Sequence, residues 1–173
     1  AFAPEVVALF APAEYREAIW VIPPISISVF FTFSYVLYAE FEFYFEKTKC
    51  ITIATMVGAC LNIGLNLLLI PVFGYLAAGY VTLLCYMVFA ALHFVMMRKI
   101  SLEEFGALPY APRVLLGISL MFTVLGLLYL PLYDHMILRY GVTLLALVGL
   151  LIKRKAVMRN LKTIVSAKKG KSS

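Results

Sequence analysis

Apolar residues along this chain gather into five long stretches, at 18–39, 51–70, 76–97, 114–133 and 137–152, separated by short segments carrying charge, proline or glycine. A helix needs about twenty residues to cross a hydrocarbon core; four of the stretches have that length, and the fifth reaches it only with its flanks. None shows the ten-residue alternation of an outer-membrane barrel strand. The pattern predicts an all-α integral membrane protein, with a bundle of five transmembrane helices over 17–152. Residues 1–16 read as the end of a preceding helix and an external connection, and 153–173 as a basic cytoplasmic tail.

Three of the stretches are not uniformly apolar. In the second, Thr48, Thr52, Thr55, Ala59, Asn62 and Asn66 follow one another at steps of four and three, which places them on one helical face. Ile53, Val57, Leu61 and Leu68 fall on the other side. The first carries a similar stripe of Ser28, Thr32, Tyr35, Ala39, Glu42 and Glu46, and the third a weaker one of Thr82, Tyr86 and His93 with Phe89 between them. Lipid cannot satisfy polar groups, so such stripes must turn inward. The expectation is that the three converge on a common aqueous space. The fourth and fifth stretches are Leu-rich, with Ser119, Thr123, Gly126 and Thr143 as their main interruptions, and should pack peripherally.

Punctuation residues refine this outline. Pro23 and Pro24 should kink the first helix. Pro71, Gly74 and Gly79 mark a tight, charge-free external turn, and 98–113, with Pro109 and Pro112, the longer cytoplasmic connection.

Several positions admit two readings. Ser and Thr in membrane helices bond to their own backbone, and Ala54, Gly58 and Ala59 offer a surface for close helix approach without any role in transport. Asn62 and Asn66 need partners once buried, either in an interhelical clamp or on a cargo. Glu42 and Glu46 lie one turn apart and form a paired-carboxylate site or a solvated helix end; the neighbouring Lys47 and Lys49 favour the second. His93 has no acid in its own helix and reads as an interfacial or packed histidine rather than a proton relay. With no carboxylate at mid-membrane depth, an acid that couples transport to an ion would have to come from elsewhere in the protein.

Composition supports a membrane location: 64% of residues are hydrophobic and only 14% charged, too apolar for an ordinary soluble domain. The charges also orient it. Lys47, Lys49, Arg98, Lys99, Arg113 and the eight basic residues of the tail fall on one side of five alternating helices, and Arg16 and Arg139 on the other. By the positive-inside rule the tail is cytoplasmic and the N-terminus of this segment outside. A juxtamembrane basic tail without interleaved aromatics points to anionic lipid as its partner, not nucleic acid. Cys50, Cys60 and Cys85 have no metal-like spacing and read as packing residues. There is no phosphate loop, zinc motif or nucleophile elbow, so no catalytic residue, metal or cofactor is assigned, and an enzyme is not expected. The start at Ala1, within what reads as the end of a helix, carries the expectation that this is a fragment of a longer chain.

An ordered set of motifs adds a resemblance. Tyr15-Arg16-Glu17-Ala18 leads into Val21-Ile22-Pro23; then come Glu46-Lys47-Thr48-Lys49, Asn62 and Asn66, Ile70-Pro71, Gly74 and Ala77-Ala78-Gly79 before Thr82. Over residues 5–99 this resembles the C-terminal half of polysaccharide (O-antigen type) flippases, in the superfamily that includes multidrug and toxic-compound extrusion transporters and lipid II flippases. The resemblance implies one lobe of a MATE-like two-lobed bundle of about twelve to fourteen helices, with a missing N-terminal lobe as its partner. It also implies a cargo: undecaprenyl-linked oligosaccharide, flipped across the bacterial inner membrane for polysaccharide or lipopolysaccharide biosynthesis. On that reading Ser28, Thr32, Tyr35, Thr55, Asn62, Asn66 and Tyr86 are substrate-cavity candidates, and Glu42, Glu46, Lys47 and Lys49 line the cytoplasmic mouth. No mid-helix Arg or Lys is present for an anionic cargo, a departure that leaves the work to the other lobe or to Tyr35, Tyr38 and Tyr86. The rival readings are an extrusion transporter for cationic drugs, an integral-membrane transferase or ligase of cell-envelope sugars that would use the Glu40–Glu46 rim or Asp134 and His135, and a membrane scaffold that recruits partners through its tail.

Overall fold

The computed structural model describes residues 2–108, 111–149 and 151–152, and every regular element among them is helical. They fall into two units, Phe2–Leu130 and a second that begins at Pro131. In the first unit α1 (Ala3–Phe10) leads through a 3-10 segment (Ala13–Val21) to α2 (Ile22–Tyr44), α3 (Thr48–Phe73), α4 (Leu76–Phe105) and α5 (Pro112–Leu128). The second unit contains α6 (Met136–Gly149). There the Arg139 guanidinium donates to the Tyr133 carbonyl at 3.3 Å and lies 5.2 Å from the centre of the Tyr140 ring.

Three stretches are long and apolar enough to cross a membrane: Ala13–Tyr44, Thr48–Phe73 and Leu76–Phe105; α5 and α6 are shorter apolar helices. The long helices outrun the apolar stretches that announce them. Pro23 and Pro24 do not interrupt α2 but occupy its first turn, where no backbone N–H is required. The expected kink is instead a change from 3-10 to α geometry between Val21 and Ile22. Pro71 lies in the last turn of α3, which Gly74 ends at φ +72°. Gly79 is helical, not part of the turn, and α4 carries Arg98 and Lys99 out to Phe105, where Gly106 caps it in the left-handed region. Pro109, Tyr110 and the 153–173 tail lie outside the described residues.

Paired residue numbers give the topology. Val21 and Pro24 meet α4 at Gly79, Tyr35 meets it at Tyr86, and Glu42 at His93, so α2 and α4 run parallel. Gly58 meets Phe89 and Asn62 meets Cys85, so α3 is antiparallel to α4. Ile27 packs on Gly126, and the Phe30 and Phe122 rings stack at 4.5 Å, so α5 is antiparallel to α2. The core lies between α2 and α4, around Ile27, Phe31, Leu83 and Ala90. The outer helices bury little: α3 buries only Ala54 and Gly58, and α5 no residue at all. Leu67, Leu68 and Val72 on α3 and Leu116 and Leu120 on α5 are exposed, an apolar outer surface of the kind a membrane bundle presents. This is a membrane protein, and α5 is peripheral, as its Leu-rich sequence suggests.

Gly58 is the tightest crossing. A Cβ placed there would come within 1.8 Å of the Phe89 ring, whereas one at Gly64 meets nothing within 4 Å. Gly58→Leu should therefore destabilise the purified full-length protein in detergent by about 1–3 kcal/mol, the usual cost of overpacking. Gly64→Ala, measured in the same thermal unfolding assay, should leave the midpoint unchanged or raise it.

Candidate functional site

The α2 stripe turns toward α4, and its positions resolve into two kinds. Near the start the hydroxyls are spent locally: Ser28 donates to the Ile25 carbonyl at 2.7 Å, Thr32 to Ser28 at 2.9 Å and Ser34 to Phe30 at 2.9 Å. Further along, larger groups reach across. The Tyr35 ring lies 6.0 Å from Tyr86, 5.2 Å from Phe89 and 5.6 Å from the His93 imidazole, centre to centre. Two turns on, Glu42 Oε1 stands 2.7 Å from His93 Nδ1.

That pair is the chemical centre of the bundle. Side-chain exposure is 0% for Glu42 and 1% for His93. The distance is that of a hydrogen bond, and the pair is neutral overall only when it holds one proton more than a carboxylate and a neutral imidazole. Glu42 Oε2, equally buried, has no hydrogen-bond partner among the described residues. Just beyond, Phe41, Phe45 and Phe105 form an edge-on aromatic cluster that joins the C-terminal ends of α2 and α4.

Two readings of the sequence are corrected here. Glu42 does not belong to a solvated mouth: α2 continues to Tyr44, and α4 runs alongside it and covers this face. His93 does have an acidic partner, supplied by the neighbouring helix rather than its own. The other mouth candidates do lie on the surface. Glu46 is exposed at φ +54°, closing the turn after α2, and Lys47 and Lys49 are exposed beside it. The backbone N–H of Lys47 donates to the Glu42 carbonyl at 2.9 Å.

The α3 stripe joins the site only in part. Thr52 and Thr55 are exposed and donate to their own backbone at Thr48 and Ile51, the local use that membrane Thr residues commonly make. Asn66 Nδ2 donates to the backbone oxygen of Asn62 at 2.9 Å and to its side-chain oxygen at 3.1 Å; Asn62 Nδ2 in turn approaches Cys85 Sγ on α4 at 3.7 Å. The asparagines thus form a chain tying α3 to α4. What the stripes of α2 and α4 build is a packed polar and aromatic seam, not an open shared aqueous space.

A lateral pocket of about 380 Å³ lies between α2, α4 and α5, lined by Phe31, Ser34, Tyr38, Phe94, Ser119 and Thr123 among others. The Ser34 and Thr123 hydroxyls are committed to Phe30 and Ser119 carbonyls, so its wall is effectively hydrocarbon. Among the described residues no group of three or more His, Cys, Asp or Glu is placed to hold a metal ion.

One signal for the Glu42–His93 pair was within reach of the sequence. Helices one and three of an alternating bundle run the same way, and Glu42 and His93 each follow four-and-three stripes toward the same end. No family model, curated protein or solved structure matches this chain.

The pair should behave non-additively. Glu42→Leu or His93→Leu alone leaves a buried polar partner stranded and should cost about 3–5 kcal/mol. The Glu42→Leu/His93→Leu double variant should be more stable than either single, as followed by thermal unfolding of the detergent-purified full-length protein.

Proposed function

We propose that this chain is a lobe of a membrane transporter, a flippase that moves lipid-linked oligosaccharide across the bacterial inner membrane for polysaccharide biosynthesis. The observation that carries the transporter reading is the seam itself. A helical bundle with apolar outer surfaces places Tyr35, Glu42, Tyr86 and His93 together between two of its long helices. Ionisable groups buried in membrane helices are costly and mark substrate or ion pathways. The cargo comes from the resemblance in motif order over residues 5–99. In this reading Tyr35 and Tyr86 supply flat faces for sugar rings, Asn62 and Asn66 hold α3 in register, the prenyl tail stays in lipid, and the lobe rocks against its partner around the seam.

One observation favours a second reading. Extrusion of cationic compounds asks for an acid within the membrane-spanning bundle, and Glu42, inside the span Ala13–Tyr44, is one. Its Oε1 is already engaged by His93 Nδ1 at 2.7 Å, which ranks this reading second.

Expression of the full-length protein should restore surface polysaccharide to a strain lacking its own flippase. Tyr35→Ala/Tyr86→Ala should reduce that restoration about tenfold or more, with the protein inserted at normal amounts. Absence of restoration, with a gain in resistance to cationic drugs, would replace the flippase reading by extrusion. Sugar transfer by the purified protein on defined donors and acceptors would replace it by an enzyme.

A further inference from the structure

We infer that Glu42 and His93 form a proton-binding site whose occupancy sets how tightly α2 holds α4. The argument begins with the carboxylate. Oε1 is engaged by His93 Nδ1 at 2.7 Å, while Oε2 is buried and unpartnered among the described residues. A buried carboxylate oxygen without a protein partner is a position where a proton can bind. A proton there turns Oε2 into a donor, for which the closed seam shows no acceptor among the described residues.

Charge balance then separates three states. With no exchangeable proton beyond the neutral imidazole N–H, Glu42 is an anion and the pair is net negative. With one proton taken from bulk water the pair is neutral, whether written as carboxylate and imidazolium or as carboxylic acid and imidazole. With a second, carried on Oε2 while Nδ1–H still donates to Oε1, the pair is net positive. Only the middle state buries no net charge, so only that state favours a closed seam; gain or loss of a proton favours one that parts and admits water.

The surroundings bring little that would compete. From α2 the titratable groups at the seam are Tyr35 and, one turn before Glu42, Tyr38; from α4 there is Tyr86. Against the seam α3 presents Gly58, under Phe89, and α5 lines the adjoining pocket with Ser119 and Thr123, none of which ionises in the relevant range. The charges nearest in sequence, Glu40, Glu46, Lys47, Arg98 and Lys99, are exposed. The Tyr35 and Phe89 rings and the Phe41–Phe45–Phe105 cluster lie along the α2–α4 contact on either side of the pair. A proton gained or lost at the pair therefore acts directly on the contact between the two helices. The inference holds for any cargo and does not depend on the flippase reading.

The test uses the full-length protein in lipid nanodiscs, with ¹⁵N-labelled histidine and no cargo. The His93 ring resonances, identified by their loss in His93→Gln, should change with pH over the range in which the protein stays folded, and the change should differ in Glu42→Gln. The thermal midpoint of the wild type should pass through a maximum in that range, and the Glu42→Gln profile should be flatter. A His93 resonance that does not titrate, or coincident profiles for wild type and Glu42→Gln, would overturn the proposal. Should Glu42→Gln fail to fold, the wild-type titration alone decides the matter. Because no cargo is present, failure here is distinct from failure to restore polysaccharide.

Discussion

Hydrocarbon offers no hydrogen bonds, so each polar group carried into the bilayer by this chain must find its partner on another part of the same protein. The arrangement of α2 and α4 is best understood from that constraint. Two parallel helices bring stripes of like polarity to equal depth, so a carboxylate near the end of one meets an imidazole on the other at 2.7 Å. Between α3 and α4, by contrast, the side-chain hydrogen bond among the described residues is the weak Asn62–Cys85 approach at 3.7 Å. The strongest polar contact in the described bundle thus joins helices separated in sequence by the whole of α3.

Small residues make that contact possible. Gly58 lets the Phe89 ring sit directly on α3, and from there Phe89 packs against both Tyr35 and His93. Gly79 does the same at the other end of α4, accepting Val21 at the junction where the 3-10 segment gives way to α2. Without these two points of close approach α4 would stand off from its neighbours, and the aromatic layer over the pair would open. The energetic importance of the small residues in this bundle lies in what they let the large ones reach.

The helical, membrane-spanning character of the chain was legible in its apolar stretches, and so were the polar faces of α2, α3 and α4. Their ends were not. Apolar content falls after Ala39 and Met97, but the i−4 backbone ladder runs on, in α2 to Tyr44 and in α4 to Phe105, and buries Glu42, Ile100 and Ser101 on the way. That difference decided the reading of Glu42, which looks like a surface residue when the helix is ended at 39 and a buried one when α4 lies beside it. The Thr residues of α3 illustrate the converse. Their spacing drew attention to a face, yet Thr52 and Thr55 satisfy themselves along the backbone and need no interior at all. Periodicity reports which residues share a face; the topology decides what that face meets.

The proposed transport reading and the seam constrain one another. Tyr35 and Tyr86, the aromatic faces proposed for a sugar ring, lie against one another across the α2–α4 contact, so a cargo that comes between them would part the two helices. The same parting exposes Glu42 and His93, whose neutral one-proton state favours closure. A cargo headgroup and a change in proton occupancy would therefore act on the same contact, each relieving part of what the other must overcome. On this view the departure from the flippase pattern, the lack of mid-helix basic residues, has a physical counterpart. If the transport reading holds, a seam closed by the Glu42–His93 contact would serve as the part that opens and closes, and ion pairing with an anionic cargo would fall elsewhere.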